Sequence, residues 1–225
     1  AILNGDCVLF LENSSECSII SCKGYEKRTI EQPSYEVSMR GPRESFNENL
    51  RTNTTLLRRR VKNSNLVFEN LVKGRKTRTN LCITYINGLA EKKLVDEVKR
   101  RISKINVDMI LESGYIEEYV EDSPFSIFAT MGITERPDVL AAKLMEGRVG
   151  IIIDGSPFVL TVPFFFIEAF QNPEDYYTRT IYSGIIRIFR YLAFFLSIMV
   201  PGIYVALTSF HQELIPTSLL FTIAA

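Results

Sequence analysis

Apolar residues recur with two periods along residues 1–162, one typical of strands and the other of helices. Runs of β-branched and aliphatic residues predict strands at 7–11, 18–21, 66–72, 81–86, 108–111, 149–153 and 158–162. Apolar spacings of three and four predict helices at about 42–61 and 90–105, and a third that begins near Thr134 with Pro137 in its first turn. Helices that alternate with strands in this way predict an α/β domain with a mixed sheet.

Turn residues and crossovers predict how some of these elements pair. Residues 12–16 between the first two strands, and Asp154-Gly155 between the last two, predict two hairpins. The strand, helix and strand over residues 81–111 predict a βαβ unit, whose strands are expected to pair in parallel through a right-handed crossover. The run at 164–171 is too short to span a bilayer and predicts an interfacial or core helix.

The pattern changes near residue 187. Tyr191 to Phe210 is a run of 20 residues without Asp, Glu, Lys or Arg. As a helix it is ~30 Å long, the thickness of a bilayer core, so a transmembrane helix is predicted at about 187–210. A buried core helix is the alternative, although such helices are seldom so apolar on every face. Pro201 predicts a kink that serves either packing or gating. A second spanning helix is predicted to start over 214–225.

These elements divide the chain into three regions. Residues 1–42 are interpreted as the end of a preceding α/β subdomain plus a linker, 43–175 as a second cytosolic subdomain, and 176–225 as the membrane region. Arg187 and Arg190 precede the apolar run, so the positive-inside rule predicts that residues 1–180 lie on the cytoplasmic side. The chain lacks an initiating Met and stops inside an apolar run, and we expect it to be an internal segment of a longer protein.

Composition and charge narrow the classes of function. The 26 basic and 26 acidic residues balance, which argues against a dedicated nucleic-acid-binding protein. With a single histidine, no phosphate-binding glycine loop and no paired zinc-ligand spacing among the four cysteines, the sequence predicts no enzyme, no metal site and no cofactor. The cysteines are expected to be buried, reduced thiols.

The charges are nevertheless segregated along the chain. Residues 40–78 hold eleven Lys or Arg and three acids, whereas residues 108–122 hold six acids and no base. Three interpretations are open. The two segments are simply two solvated faces of one domain, the basic segment contacts anionic lipid headgroups, or the basic and acidic segments of neighbouring copies join head to tail. The candidate assembly or lipid-facing patch consists of Arg43, Arg51, Arg58, Arg59 and Arg60. The candidate acidic partner face consists of Glu117, Glu118, Glu121 and Asp122.

A series of motifs resembles the A subunits of bacterial spore germinant receptors, the GerA family, and the related stage V sporulation protein AF. In order these are Gly41-Pro42-Arg43-Glu44, Arg58-Arg59-Arg60, Leu111-Glu112-Ser113-Gly114, Thr134-Glu135-Arg136-Pro137-Asp138, Asp154-Gly155-Ser156-Pro157-Phe158, Pro173-Glu174-Asp175 and Arg190-Tyr191-Leu192. The resemblance implies a cytosolic α/β domain in two parts, several spanning helices and a place in the spore inner membrane. It also implies B and C subunits as partners, and assembly of copies into a cation channel.

Two functions from different classes follow. The first is a membrane subunit that transduces nutrient signals, with a homo-oligomer, the B and C subunits and membrane lipids as partners, and no nucleic acid. The alternative is a membrane-anchored α/β module that binds a solute or serves as an adaptor. Because the resemblance attributes nutrient recognition largely to the B subunit, no small-molecule pocket is expected in this chain.

Overall fold

A five-stranded sheet organises the first of the two units, Ala1–Glu168 and Ala169–Ala225, into which the chain divides. The computed structural model describes residues 7–10, 17–20, 33, 36, 41–122, 126 and 128–211. The strands are β1 Cys7–Phe10, β2 Cys17–Ile20, β3 Leu66–Lys73, β4 Thr79–Ile86, β5 Gly132–Thr134, β6 Val149–Ile153 and β7 Val159–Val162. The order in the main sheet is β3-β4-β6-β7-β5, while β1 and β2 form a separate antiparallel pair.

Helices cover both faces of this sheet. They are α1 Leu50–Arg60, α2 Lys92–Lys104, α3 Ser113–Val120 and α4 Pro137–Met145. Strand β4 shows the division, because Leu81 and Ile83 belong to the core cluster that contains α2 and α3, whereas Cys82 and Ile86 belong to the cluster with α1 and α4. The unit therefore has three layers, with side chains of successive strand residues in opposite cores.

The predicted α/β class, with a long apolar helix after it, is confirmed, and so are both predicted hairpins. The predicted parallel pairing of strands at 81–86 and 108–111 is wrong. The sheet is therefore not mixed, since every strand pair among the described residues is antiparallel. Residues 108–111 are not a strand. Their main chain is held by threonine side chains instead: the Thr79 hydroxyl donates to the Ile110 carbonyl at 2.7 Å, and the Ile110 amide donates to the Thr77 hydroxyl at 3.1 Å.

Helix α1 begins eight residues later than the predicted residue 42. The Asn49 side chain accepts hydrogen bonds from the amides of Arg51 and Thr52 and so caps the helix. The fully buried Asn53 side chain binds both the amide and the carbonyl of Asn47, which holds the preceding segment in a non-helical path. Strand β5 and helix α3 are additional elements that periodicity did not predict.

The second unit contains one long helix, α5 Thr180–Phe210, preceded by the 3-10 turn Pro173–Tyr176. Its 31 residues give a length of ~46 Å. The helix ends at Phe210 as predicted, begins seven residues earlier, and is continuous through Pro201. A 3-10 turn, Phe166–Phe170, replaces the helix predicted over 164–171. The second predicted span, 214–225, lies outside the described residues.

Candidate functional site

The three consecutive arginines at the end of α1 are engaged inside the first unit. Arg58 donates to the carbonyls of Asn63 at 3.3 Å and Leu66 at 3.0 Å, and its guanidinium lies 4.8 Å from the centroid of the Phe68 ring. Such carbonyl bonds and ring stacking suit a planar guanidinium. Arg58 thus ties the end of α1 to the start of β3.

Arg59 and Arg60 share one carboxylate. Their guanidinium groups approach the two oxygens of Glu44 at 3.1 Å and 2.9 Å. Arg43 and Arg51, in contrast, are exposed, and neither forms an ion pair with any residue that the structure describes. Of the five candidate basic residues, these two therefore present the most accessible charge.

The four candidate acids occupy α3 and the residues after it. Glu118 is exposed, while Asp122 forms an ion pair with Arg101, and Glu121 accepts a hydrogen bond from Thr130 at 3.2 Å. Burial raises the pKa of Glu117, and the nearby carboxylates of Glu121 and Glu112 raise it further. Since two of the acids have partners within the unit, Glu118 is the residue best placed to meet another surface.

The motifs that contain Glu112 and Asp154 meet at the turn between β6 and β7. Asp154 accepts from the first amide of α1, Leu50, at 3.1 Å. Glu112, which caps α3, accepts from the Gly114 amide at 3.0 Å and from the Ser156 hydroxyl at 2.9 Å. These carboxylates place the N-terminal ends of α1 and α3 at one turn, where carboxylate charge is favourable for both helices.

A buried charged network lies at the β5 edge of the sheet, and its members are not among the predicted site residues. Arg136 is 1% exposed and binds Asp138 through two bonds, at 3.2 Å and 2.7 Å. The Thr134 hydroxyl donates to the Glu36 carboxylate at 2.7 Å, and the Glu36 amide donates to Glu135 at 2.9 Å. The only signal in the sequence was the motif from Thr134 to Asp138.

A second cluster, at β6, β7 and α4, neutralises Glu168. Its carboxylate lies 2.5 Å from Arg148 and 3.8 Å from Lys143. Lys143 also donates to the Thr161 hydroxyl at 3.1 Å. Burial lowers the pKa of Lys143, and Glu168 opposes that shift. All three charged groups are largely withdrawn from solvent.

The two arginines that were predicted to define membrane topology meet one buried carboxylate in the second unit. Asp175 accepts two bonds from Arg190, at 2.6 Å and 3.1 Å, and one from Arg187 at 3.3 Å. Arg190 also donates to the Phe170 carbonyl at 3.1 Å. We call Asp175, Arg187 and Arg190 together the arginine clasp. It ties the first turns of α5 to the residues just before it.

Helix α5 is long and apolar enough to cross a bilayer. Among the described residues no group of three potential metal ligands occurs. Burial raises the pKa of the Cys82 thiol to about 12, and the charge of Glu69 adds to the shift. A thiol in this state is neutral and inert at physiological pH.

A family comparison identifies the chain. The model of the Bacillus/Clostridium GerA spore germination proteins matches residues 1–225. The chain belongs to the GerA family. Other GerA proteins are close in sequence: it is 50% identical over 224 residues to spore germination protein KA, and 40% identical over 223 residues to spore germination protein B1, both of Bacillus subtilis. It is also 46% identical over 225 residues to the uncharacterized membrane protein YfkQ of the same organism.

These matches cover 99–100% of the chain but only 41–46% of each relative, so the chain spans less than half the length of the relatives named here. A solved structure, the N-terminal domain of the A subunit of the Bacillus megaterium spore germinant receptor GerK3, is 43% identical. The match covers 58% of this GerA chain and 51% of that domain, with a TM-score of 0.45.

Proposed function

We propose that this chain is part of the A subunit of a spore germinant receptor, a membrane protein that converts a nutrient signal into the start of germination. The observation that carries the proposal is the GerA family match over residues 1–225. An α/β unit, followed in the chain by a helix long enough to span a bilayer, supports a membrane subunit with a large soluble part.

The proposed location is the spore inner membrane, with the α/β unit on the cytoplasmic side and α5 as the first of several spans. Three arginines, Arg179, Arg187 and Arg190, precede the uncharged stretch of α5, and the positive-inside rule favours this orientation. In the arginine clasp one carboxylate faces two guanidiniums, so net positive charge remains at this end of the span.

The proposed mechanism is assembly of copies, together with B and C subunits, into a complex whose helices open an ion path. Arg43 and Arg51 on one side and Glu118 on the other supply accessible charges of opposite sign that favour one register between copies. Exposed ion pairs contribute only ~0–1 kcal/mol each. These charges are therefore proposed to select the arrangement, while apolar contacts supply most of the stability.

Germination itself tests the central part of the proposal. Spores that lack the full-length gene are compared with parent spores for loss of optical density on exposure to a panel of amino acids and sugars. The deletion is expected to abolish the response to at least one nutrient, and a reintroduced wild-type copy to restore it. Deletion spores that respond like the parent to every nutrient would refute the proposal.

Mass measurement tests assembly. The full-length protein in mild detergent is expected to form a discrete oligomer that loses its single defined mass in the Arg43→Glu/Arg51→Glu variant, because like charges then face Glu118 and no longer favour one register. The control Lys62→Glu/Lys92→Glu carries the same charge change on exposed lysines and is expected to remain assembled. A monomer in all samples would contradict the ring and favour an anchored adaptor or solute-binding module. Potassium efflux from vesicles that contain the oligomer tests the ion path, and its absence would contradict a channel.

A further inference from the structure

Four large apolar side chains form an exposed cluster on the first unit. Phe128, Phe165, Phe166 and Ile167 are 60%, 54%, 47% and 54% exposed. The rings of Phe128 and Phe166 meet edge to face with centroids 4.9 Å apart, so Phe128 and the turn at 166 form one surface. We call these four residues the phenylalanine patch. Exposed apolar clusters of this kind mark interaction sites rather than ordinary surface.

Three main-chain amides at the patch are already hydrogen-bonded. The Phe165 amide donates to the Glu168 carboxylate at 2.9 Å, the Glu168 amide donates to the Phe165 carbonyl at 2.8 Å, and the Phe164 amide donates to the Thr130 carbonyl at 3.1 Å. These three amides would not lose hydrogen bonds to water if the patch entered an apolar phase. An unpaired amide there would oppose insertion strongly.

The acidic charge next to the patch is also neutralised. Glu168 lies against Arg148 and Lys143, and its side chain is only 10% exposed. The guanidinium of Arg148 lies 5.2 Å from the centroid of the Phe165 ring, and the Lys143 ammonium lies 5.4 Å from that of Phe164. Arg148 also pairs with Glu146 at 2.8 Å, so the two cations and two carboxylates at this position sum to zero and leave no net negative charge to oppose contact with a membrane that contains anionic lipid.

We propose that the phenylalanine patch inserts into the lipid interface of the leaflet where α5 enters the membrane, and so holds the α/β unit against the bilayer. The inference rests on the proposed function, because it needs α5 to span. Ile167 precedes the first residue of α5, Thr180, by 13 residues. A chain of that length spans at most about 45 Å, which sets the upper limit of the distance between the patch and the start of the span.

The chemistry of the patch fits lipid better than a protein partner. The residues that contribute most of the binding energy at protein interfaces are enriched in Tyr, Trp and Arg, which combine apolar area with hydrogen bonds. The patch has three phenylalanines and one isoleucine, side chains that form no hydrogen bonds. Such residues suit a position ~5–10 Å deep, at the boundary between headgroups and acyl chains.

Tryptophan fluorescence provides a direct test, because the 225-residue chain contains no Trp. Phe166→Trp and Phe128→Trp each place a single tryptophan in the patch. Tyr119→Trp, at a 49% exposed position on α3, is the matched control, and Phe195→Trp marks the uncharged stretch of α5. Each variant is reconstituted in vesicles of phosphatidylcholine and phosphatidylglycerol, with or without bromine on the phosphatidylcholine acyl chains.

The expected result is loss of emission in brominated vesicles for Phe166→Trp, Phe128→Trp and Phe195→Trp, with Tyr119→Trp unchanged. Quenching of Phe195→Trp alone would overturn the inference and leave the proposed membrane function intact. If Phe195→Trp also escaped quenching, α5 would not span and the membrane function would fail as well. Blue-shifted but unquenched emission from both patch variants would show that protein covers the patch, and would exclude lipid as its occupant.

Discussion

Replacing Asp175 with asparagine is expected to release the first turns of α5 from the segment before it. Only 5% of the Asp175 side chain is exposed, and removal of one partner from a fully buried ion pair costs ~3–5 kcal/mol. Arg187 and Arg190, however, keep 29% and 33% of their side-chain surface in solvent, which offsets part of the loss. We therefore expect ~2 kcal/mol, the value of a single hydrogen bond to a charged group.

That free energy corresponds to about a 30-fold increase in local opening. Hydrogen exchange of the whole chain in lipid nanodiscs measures this local opening. The amides of residues 183–187 are expected to exchange about 30-fold faster in Asp175→Asn than in the wild type. Arg179→Gln removes an exposed cation of the same segment without touching Asp175, and should exchange like the wild type. Unchanged exchange in Asp175→Asn would refute the reasoning, because the clasp would then contribute nothing to holding α5.

The pH dependence of the clasp has a definite sign. Burial raises the pKa of Asp175, but hydrogen bonds from Arg190, the Asn172 amide and Arg187 lower it by more, so the net pKa lies below the ordinary 3.8. A carboxylate of this kind stabilises the folded state above its ordinary pKa and loses that contribution as the pH falls through the folded-state value. Protection of residues 183–187, corrected for intrinsic rates, should thus be constant from about pH 5 to about pH 8 and decrease only in stronger acid.

Three further predictions concern the first unit. Asn53→Ala leaves the part-buried main-chain amide and carbonyl of Asn47 without their side-chain partner, which should cost ~2 kcal/mol. The melting temperature, followed by circular dichroism, should therefore fall by about 4–8 °C, with Thr55→Ala at an exposed position as a near-neutral control. Cys82 should resist maleimide at about pH 7.5 in the folded chain and react after denaturation, and rapid native labelling would contradict its burial. Gly88→Ala should cost ~1–2 kcal/mol in unfolding free energy because φ at this position is +87°. Gly147→Ala should cost more, because its new methyl group would also lie 2.8 Å from the main-chain carbonyl oxygen of Leu89. Equal losses of unfolding free energy in denaturant titrations of the two variants would exclude that clash.

Elements whose pattern is local were predictable from the sequence. Strands β6 and β7 follow from two apolar runs on either side of Asp154-Gly155, and α5 follows from a run of 20 uncharged residues. Helix α2 was found within two residues at each end because its buried side chains repeat at helical spacing. In each case the deciding interactions lie within one element or one turn.

The features that the sequence did not reveal depend on partners far apart in the chain. Glu44 meets Arg59 and Arg60 across 15 and 16 positions, and Glu36 meets Thr134 across 98. No periodicity encodes such pairings, so the three arginines of α1 looked like free surface charge. The prediction of a strand at 108–111 was wrong for a related reason. Its apolar run was short, and the side chains of Thr77 and Thr79 form the hydrogen bonds that a neighbouring strand was expected to provide.

The orientation of α5 tests the central claim most directly. In the full-length protein, with native cysteines replaced by alanine, Thr178→Cys and His211→Cys place one thiol before and one just after the helix. We predict that, with the protein produced in vegetative cells, a membrane-impermeant maleimide added to the intact cells labels His211→Cys at once and Thr178→Cys only after the membrane is permeabilised. If both positions were labelled, or protected, from the same side, α5 would not cross the membrane and the proposed receptor architecture would be wrong.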